Sequence, residues 1–243
     1  MVRSTWCVAS RYGPEVHVQI IFQQSGMAVD LEDEVVQWAK AYETSMLDAH
    51  ELLNLAAILT AFPWNTGGFV VEIGAYLGKT TVFMAKVLAR TNNPVPILSI
   101  DPFDRFQPDP LNPQGDYLSY VNNITAAHTE KVCLPLTAFS YDAAPVIAND
   151  VGVLVIDGDH HYPVMSQDLK LYMPKVKEGG FILIDDYGPA YPDVMRAVDE
   201  AFAQNTQFKM HAKSYFVIAE RIRRPGTRRS TSPERKLRSN KLA

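Results

Sequence analysis

The fold is decided by the stretch Val71-Glu72-Ile73-Gly74-Ala75-Tyr76-Leu77-Gly78-Lys79-Thr80-Thr81. An apolar run over residues 69–73 predicts a short buried strand, the glycines predict a tight turn, and helical character follows from about Thr80 to Arg90. The amide groups of such a turn, together with the N-terminus of the helix, can meet a polar ligand. The stretch therefore predicts a strand, a ligand-binding turn and a helix.

Two familiar ligand classes do not fit this turn. A dinucleotide fingerprint has glycine where Tyr76 stands, because the pyrophosphate must approach the backbone there. A P-loop needs four residues between its first glycine and Gly-Lys-Thr, whereas Gly74 and Gly78 enclose only three. The turn is therefore predicted to hold a ligand without a pyrophosphate, unless the glycines serve only the packing of the strand against the helix.

Two acids at strand ends favour the binding interpretation. Glu72 lies at the end of the first strand, where it could balance a cationic part of the ligand. Asp101 ends the next strand, Ile97–Asp101, where a carboxylate can accept both hydroxyls of a ribose. An adenosine that carries an amino acid would satisfy both acids.

Beyond the turn, strands and helices alternate. Further strands are predicted at 132–135, 153–157 and 181–185, and a helix from Tyr162 to Val176 is predicted to end at Gly179 and Gly180. This alternation predicts a doubly wound, mostly parallel α/β sheet. Stretches 207–211 and 215–220 are close enough to form antiparallel neighbours at its edge. Two helices precede the sheet, one from Leu31 and one capped by Asp48, with Glu51 three residues on as in a capping box.

A second group of polar residues follows the later strands. The sequence Asp157-Gly-Asp159-His160-His161 ends one strand, and Asp185-Asp186 ends the next. The carboxyl ends of neighbouring parallel strands meet at one edge of the sheet, so these acids can converge into an oxygen-rich site suited to Mg²⁺. The two histidines keep zinc open, and Asp159 can also be a helix cap.

Charge is distributed unevenly along the chain. Residues 221–243 contain nine of the 23 Lys and Arg residues and a single acid, whereas the formal net charge of the whole chain is -4. The tail is therefore predicted to be basic and disordered, and the acidic remainder disfavours nucleic acid as a partner, although the tail leaves it open. No signal peptide or membrane span is expected, and the two cysteines form no CxxC pair, so a cytoplasmic protein is predicted.

Taken together, these motifs resemble the class I methyltransferases of the cephalosporin-hydroxylase and macrocin O-methyltransferase type. The resemblance covers about residues 45–220 and rests on the glycine turn, Ser-Ile-Asp-Pro-Phe (99–103), Ile-Asp-Gly-Asp-His-His-Tyr (156–162) and Ile-Asp-Asp-Tyr (184–187). It implies a seven-stranded Rossmann-like sheet with an antiparallel edge strand, and S-adenosylmethionine as cofactor. Three segments are predicted: an N-terminal extension (1–30), of which residues 1–26 are optional if the native chain starts at Met27, the methyltransferase domain (31–220) and the basic tail (221–243).

The resemblance also implies a role for each matching residue. The expected cofactor-binding residues are Glu72, Gly74, Tyr76 and Gly78 at the turn, Asp101 on the ribose, Ala138, Phe139 and Ser140 beside the adenine, and Asp157. Asp157, Asp185 and Asp186 are expected to hold Mg²⁺, and His160 is expected to be the general base, while His161 has no counterpart role.

The expected acceptor is a small molecule with vicinal hydroxyls, such as a sugar of a natural product or a catechol, and a homo-oligomer is left open. Two rival interpretations remain. Asp159-His160-His161 matches the Asp-His-His of a two-metal phosphoesterase family, but the only early aspartates for its other motifs are Asp30 and Asp33. Alternatively, the basic tail tethers a methyltransferase or a cofactor-binding module to nucleic acid.

Overall fold

The computed structural model describes residues 5–12, 15–22, 24–42, 47–103 and 116–223, with side chains from residue 18 onward. It begins with a three-stranded antiparallel sheet of β1 (Thr5–Tyr12), β2 (Glu15–Phe22) and β3 (Met27–Glu32), in that order. Residues of β2 and β3 contribute to the hydrophobic core of the protein, namely Val18, Ile20, Phe22, Val29 and Leu31.

The predicted helix is present, but its predicted start at Leu31 is wrong, because Leu31 belongs to β3. Val29 and Leu31 are buried while Ala28 and Asp30 are exposed, so burial alternates every second residue, as in a strand packed on one face. The helix α1 starts two residues later and spans Asp33–Tyr42. Leu31, Val35 and Trp38 also fit helical spacing, which is why the pattern alone misled.

A seven-stranded sheet forms the centre of the protein, and the predicted sheet is confirmed. Its strands are β4 (Phe69–Ile73), β5 (Ile97–Asp101), β6 (Cys133–Thr137), β7 (Val151–Ile156), β8 (Val176–Ile184), β9 (Phe208–Lys213) and β10 (Val217–Arg221). Their order is β6-β5-β4-β7-β8-β10-β9. The first five strands in this order are parallel to one another, and β10 pairs antiparallel with both β8 and β9, which gives the predicted antiparallel pair at the edge.

Helices cover both faces of this sheet. They are α2 (Ala49–Ala61), α3 (Lys79–Arg90), α4 (Asp116–Ala126), α5 (Ser140–Ala143), α6 (Tyr162–Tyr172) and α7 (Pro192–Phe202), with short 3-10 turns at Trp64–Thr66, Ala144–Val146 and Met173–Lys175. The capping box of α2 is present: the Glu51 amide donates to Asp48 Oδ1 at 2.8 Å and the Asp48 amide to Glu51 Oε2 at 2.7 Å. No helix of the described residues is both long and apolar enough to cross a bilayer.

The core consists of two layers, one on each face of the sheet. Along β7, Val153 and Val155 belong to the layer beneath α1–α4, whereas Leu154 and Ile156 belong to the layer beneath α5–α7. All six residues of β7 are buried. A strand buried on both faces reads as a continuous apolar run, and this is how β7 could be recognised in the sequence.

Gly179 and Gly180 do not end α6, contrary to the prediction. They lie inside β8, where pairing with β7 passes from Val176 directly to Phe181. A Cβ on Gly180 would lie 2.8 Å from the carbonyl oxygen of Gly152, so this irregular crossing requires glycine. At the other end of the chain, Arg221 closes β10 and donates to the carbonyl oxygen of Pro174 at 2.8 Å. The predicted tail lies outside the described residues from 224 onward.

Candidate active site

The carboxyl ends of β4 and β7 touch at Gly74. Gly74 has φ +86°, and a Cβ on it would lie 1.9 Å from the carbonyl oxygen of Asp157. Only glycine allows the two backbones to approach so closely. The glycine turn and the first of the strand-end acids are therefore parts of one site.

Gly78 also has a packing role. It has φ +75°, and a Cβ there would lie 2.6 Å from the ring of Tyr120 on α4. Between the two glycines, Tyr76 also adopts a positive φ of 47°. Close packing thus accounts for both glycines, as the alternative interpretation of the turn held, and binding must be argued from the polar groups around them.

Asp101 fixes the glycine turn against the end of β5. Its carboxylate is 5% exposed and accepts hydrogen bonds from the amides of Tyr76 and Phe103, at 2.8 and 2.7 Å. Each carboxylate oxygen has a further lone-pair direction, so Asp101 can still accept from a ligand. The structure therefore places Asp101 beside the turn, as the ribose role requires.

Glu72 lies beneath the turn, with 1% of its surface exposed. Its Oε2 accepts from Thr81 Oγ1 at 2.5 Å and from Ser99 Oγ at 2.8 Å, while Oε1 has no hydrogen-bond partner among the described residues. Burial raises the pKa of Glu72 to about 7, and the nearby Asp101 adds to this effect, whereas the two hydroxyl donors oppose it. Glu72 is therefore only partly ionised near neutral pH, which weakens its expected role as a counter-charge.

The segment expected beside the adenine, Ala138–Ser140, follows β6 directly. The Ala138 amide donates to the carbonyl oxygen of Asp101 at 3.2 Å, which places the segment next to the end of β5. Phe139 is 38% exposed and its ring stacks on that of Tyr141, with centroids 5.4 Å apart. Ser140 is buried and donates to Asp168 Oδ1 at 2.5 Å. These residues thus line the same edge as Asp101.

Two acids and a histidine converge beyond β7 and β8. Ligand atoms of Asp157, His160 and Asp186 all lie within 4.8 Å of one another. His160 Nε2 lies 2.5 Å from Asp186 Oδ2, and the side chains are 36% and 25% exposed. Asp186 has a positive φ of 57°, which turns the chain sharply after β8. The structure therefore brings together two of the three predicted metal ligands and the predicted base.

Asp185, the third predicted metal ligand, lies behind this group. It is 2% exposed, and neither of its oxygens receives a hydrogen bond from a donor in the described part of the chain. It faces the carboxyl group of Glu51, with which it can bond only when one of the two is protonated. Burial, and then the charges of Asp157, Glu51 and Asp186, raise the pKa of Asp185 to about 10.

The histidine next to the predicted base points away from the group. His161 has an 81% exposed side chain, and its Nδ1 lies 2.6 Å from Asp159 Oδ1. Asp159 accepts the His161 amide at 2.7 Å and so closes a turn before α6, but it is not the predicted helix cap, because the N-cap of α6 is His161, whose side chain forms no capping bond. Asp30, needed by the phosphoesterase alternative, lies on β3 and accepts from Gln19 of β2 at 2.9 Å, in the other sheet.

Sequence reasoning missed two residues of the site. Glu51 was identified only as part of the capping box, yet its carboxyl group also faces Asp185. Tyr191 was not singled out, although its ring lies 4.6 Å from that of His160 and is 37% exposed. The sequence gives no signal for either contact with the site, because both depend on how α2 and the turn before α7 pack over the end of the sheet.

The donors present suit a small divalent cation. Asp157 and Asp186 offer carboxylate oxygens, the ligands that Mg²⁺ prefers. Asp185 lies among the carboxyl groups of Asp157, Glu51 and Asp186, and its buried oxygens have no hydrogen-bond donor among the described residues, so a cation bound here would favour its ionised form. The residues therefore fit such an ion, with His160 as an additional nitrogen ligand within range.

Comparisons with known proteins agree with the fold and the turn. Residues 71–187 match the family described as "Methyltransferase domain". The uncharacterized protein R132 of Acanthamoeba polyphaga mimivirus is 40% identical over 87 residues, and the match spans 33% of this chain and 39% of that protein. R132 is thus matched over well under half of its length.

Solved structures share the architecture. The O-methyltransferase NovP is 20% identical with a TM-score of 0.57, and the match covers 74% of this chain and 82% of that one. The apo form of CalS11, a TDP-rhamnose 3'-O-methyltransferase of calicheamicin biosynthesis, is 14% identical with a TM-score of 0.52, over 77% and 93% of the two chains. At these identities the likeness concerns the fold.

The seven-stranded sheet, the glycine turn after β4 and the acid after β5 are the features that the resemblance to the class I methyltransferases implied. Residues 71–187 match the methyltransferase-domain family, so the chain carries a methyltransferase domain over this stretch. The predicted family and enzyme class are thus confirmed.

Proposed function

We propose that this protein transfers the methyl group of S-adenosylmethionine to a hydroxyl oxygen of a small molecule with two adjacent hydroxyls, with the assistance of Mg²⁺. One observation carries the proposal: Gly74 of the cofactor turn lies against the carbonyl oxygen of Asp157. The Asp157–His160–Asp186 group therefore adjoins the place where the methyl donor of this class binds. A base and an oxygen-binding site beside a methyl donor are what O-methylation needs.

Asp157 and Asp186 would hold the cation, with Asp185 behind them. Bound there, Mg²⁺ supplies Lewis acidity that lowers the pKa of neighbouring hydroxyl groups. An acceptor with two adjacent hydroxyls can present both oxygens to one ion, which is why we propose a vicinal diol or a catechol. The chain's own contribution is to orient the hydroxyl and to exclude alternative geometries.

His160 is the proposed base. Its Nε2 contacts Asp186 Oδ2, which holds the ring at the site where the proton of the hydroxyl would be taken up. Tyr191 packs against the ring and limits its rotation. The same contacts place His160 within reach of a metal ion, so a ligand role is the alternative that an experiment must separate from the base role.

The acceptor class draws support from the relatives. NovP is an O-methyltransferase and CalS11 acts on TDP-rhamnose, a sugar nucleotide. For this chain we propose a sugar of a natural product first and a catechol second. We also propose a cytoplasmic location, in keeping with the buried free thiol of Cys133.

The cofactor part of the proposal is tested by calorimetric titration. S-adenosylmethionine, NAD⁺ and ATP are titrated separately into the purified full chain, with and without Mg²⁺. Selective binding of S-adenosylmethionine is expected. Binding of ATP or NAD⁺ in its place would contradict the interpretation of the Gly74 turn.

The acceptor part is tested with matched pairs of compounds. Release of S-adenosylhomocysteine is measured with a catechol or a deoxysugar nucleotide and with the corresponding compound that carries only one hydroxyl. Turnover should require both hydroxyls and should stop with EDTA and return with Mg²⁺. Undiminished turnover in EDTA would exclude the metal, and equal turnover of mono-hydroxyl compounds would exclude the two-oxygen mode of binding.

A further inference from the structure

Helix α6 holds Ser140 by two side chains that lie one turn apart. Asp168 Oδ1 accepts the Ser140 hydroxyl at 2.5 Å, and the Tyr172 hydroxyl donates to the Ser140 carbonyl oxygen at 2.6 Å. Residues i and i+4 of a helix lie on the same face, so the two contacts act on one residue from one direction. Both side chains are almost fully buried, with Asp168 2% exposed and Tyr172 fully covered.

A carboxyl group in this position carries an energetic penalty. Asp168 lies in the apolar layer beneath α6, beside Met165 and Leu169. Burial raises the pKa of Asp168 to about 6, although its bond with Ser140 opposes that effect. An apolar residue would fill such a place without this penalty. What Asp168 provides, and an apolar residue at this position would not, is the hydrogen bond with the Ser140 hydroxyl.

The short helix α5, which these two bonds hold, is not stable on its own. Helix α5 has only four residues, Ser140–Ala143, and its N-cap, Phe139, forms no side-chain capping bond. A helix of one turn has no stability of its own. Its position relative to Asp101 must therefore come from tertiary contacts, of which the two from α6 are directed at its first residue.

We propose that Asp168 is a positioning residue for the adenine end of S-adenosylmethionine, acting through Ser140 on the segment Ala138–Ser140. The proposal rests on the proposed function, because it needs the cofactor in the site. Since α6 starts at Tyr162, two residues after His160, the same helix would set both the adenine border and the position of the base. Tyr172 supports the segment through the Ser140 carbonyl oxygen.

The test compares substitutions that remove or retain the acceptor oxygen. Asp168→Ala removes it, and Asp168→Asn retains an oxygen that can accept the Ser140 hydroxyl. We expect Asp168→Ala to weaken S-adenosylhomocysteine binding about tenfold, the scale of a lost hydrogen bond to a charged group, and Asp168→Asn to stay within about threefold of the unmodified chain. Affinity is measured by calorimetry on the full-length protein.

Two further measurements separate positioning from general destabilisation. Val198→Ala removes two methyl groups from the same apolar layer, and it serves as the matched control because Val198 lies on another helix, α7, and forms neither of the two bonds to Ser140. S-inosylhomocysteine, which carries hypoxanthine, reports on the base itself: the preference for adenine over hypoxanthine should fall in Asp168→Ala and persist in Val198→Ala. If Asp168→Ala does not fold, Ser140→Ala removes the same bond from its other partner.

Each outcome bears on a different claim. If the unmodified chain fails to bind S-adenosylhomocysteine, the proposed function falls. If it binds and Asp168→Ala binds equally well with an unchanged base preference, only the positioning role is overturned. An Asp168→Asn variant as weak as Asp168→Ala would also overturn it, because the acceptor oxygen would then be irrelevant.

Discussion

Glu72 offers a quantitative test of the electrostatics at the glycine turn. Its carboxyl group is buried, two hydroxyl groups donate to Oε2, and Oε1 has no partner among the described residues. The pKa of Glu72 is raised from 4.5 to about 7, chiefly by burial. The substitution Glu72→Gln keeps the shape of the side chain and the acceptor oxygen for Thr81 and Ser99, but it removes the titration.

The magnitude follows from proton linkage. Between pH 4.5 and pH 7 the folded protein retains a proton on Glu72 that the unfolded chain has released, so the free energy of unfolding falls as the pH rises through this window. The stabilisation is fully present below pH 4.5 and lost above the folded-state pKa. A shift of about 2.5 units corresponds to about 3 kcal/mol between pH 4.5 and 8.5.

The assay is urea unfolding of both proteins across this pH range. All other titrating groups contribute equally to the two chains, so the stability difference between them isolates Glu72. The stability of Glu72→Gln minus that of the unmodified chain should rise by about 3 kcal/mol from pH 4.5 to 8.5. The substitution also changes the free energy of unfolding by an amount that does not depend on pH, because the NH₂ group of Gln takes the position of Oε1, which has no hydrogen-bond partner among the described residues. Two curves that run parallel across the range would refute the reasoning.

Three other outcomes are expected. His160→Ala should lower turnover by about 10² to 10⁴ while leaving S-adenosylmethionine and Mn²⁺ affinities almost unchanged; a large loss of Mn²⁺ affinity would instead make His160 a ligand. Asp186→Asn should weaken Mn²⁺ binding at least tenfold in calorimetry, and unchanged affinity would remove this acid from the metal site. Gly74→Ala should destabilise the fold by more than about 3 kcal/mol in thermal unfolding, because its Cβ would lie 1.9 Å from the Asp157 carbonyl oxygen. Gly26 is the control: it also has a positive φ but has open space around it, so Gly26→Ala should cost only about 1 kcal/mol. Similar losses for the two variants would contradict the clash at Gly74.

The centre of the sheet could be predicted because β4, β5 and β7 are short, mainly apolar runs bounded by turn residues. The predicted bounds of β4 and β5 agree with the structure, and both strands end at acids that the fold places at one edge. Strands that are buried on both faces of a parallel sheet appear in the sequence as continuous apolar runs of this kind. The position of the site at that edge then follows from the topology of parallel sheets.

The N-terminal sheet could not be predicted with the same logic. In β3, Leu31 satisfies both the alternation of a strand and the spacing of the helix that follows, and the pattern of a single sequence does not decide between them. What decides is the pairing with β2, a contact in which Ile20 faces Val29. Pairing of this kind is tertiary information, and the same holds for Gly180, whose need for glycine arises from its approach to Gly152.

The pair Asp185-Asp186 shows most clearly where sequence reasoning ends. Two consecutive residues at the end of a strand point to opposite faces, so a chain that carries two acids there cannot direct both into the cleft without a change of backbone direction. The positive φ of Asp186 provides such a change and places its carboxylate beside His160, while Asp185 stays within the sheet layer and faces Glu51. A bound cation would stabilise the ionised form of the Asp185 carboxyl group. Without one, burial and three neighbouring acids favour its protonated form, so the metal and the proton compete for this buried carboxyl group.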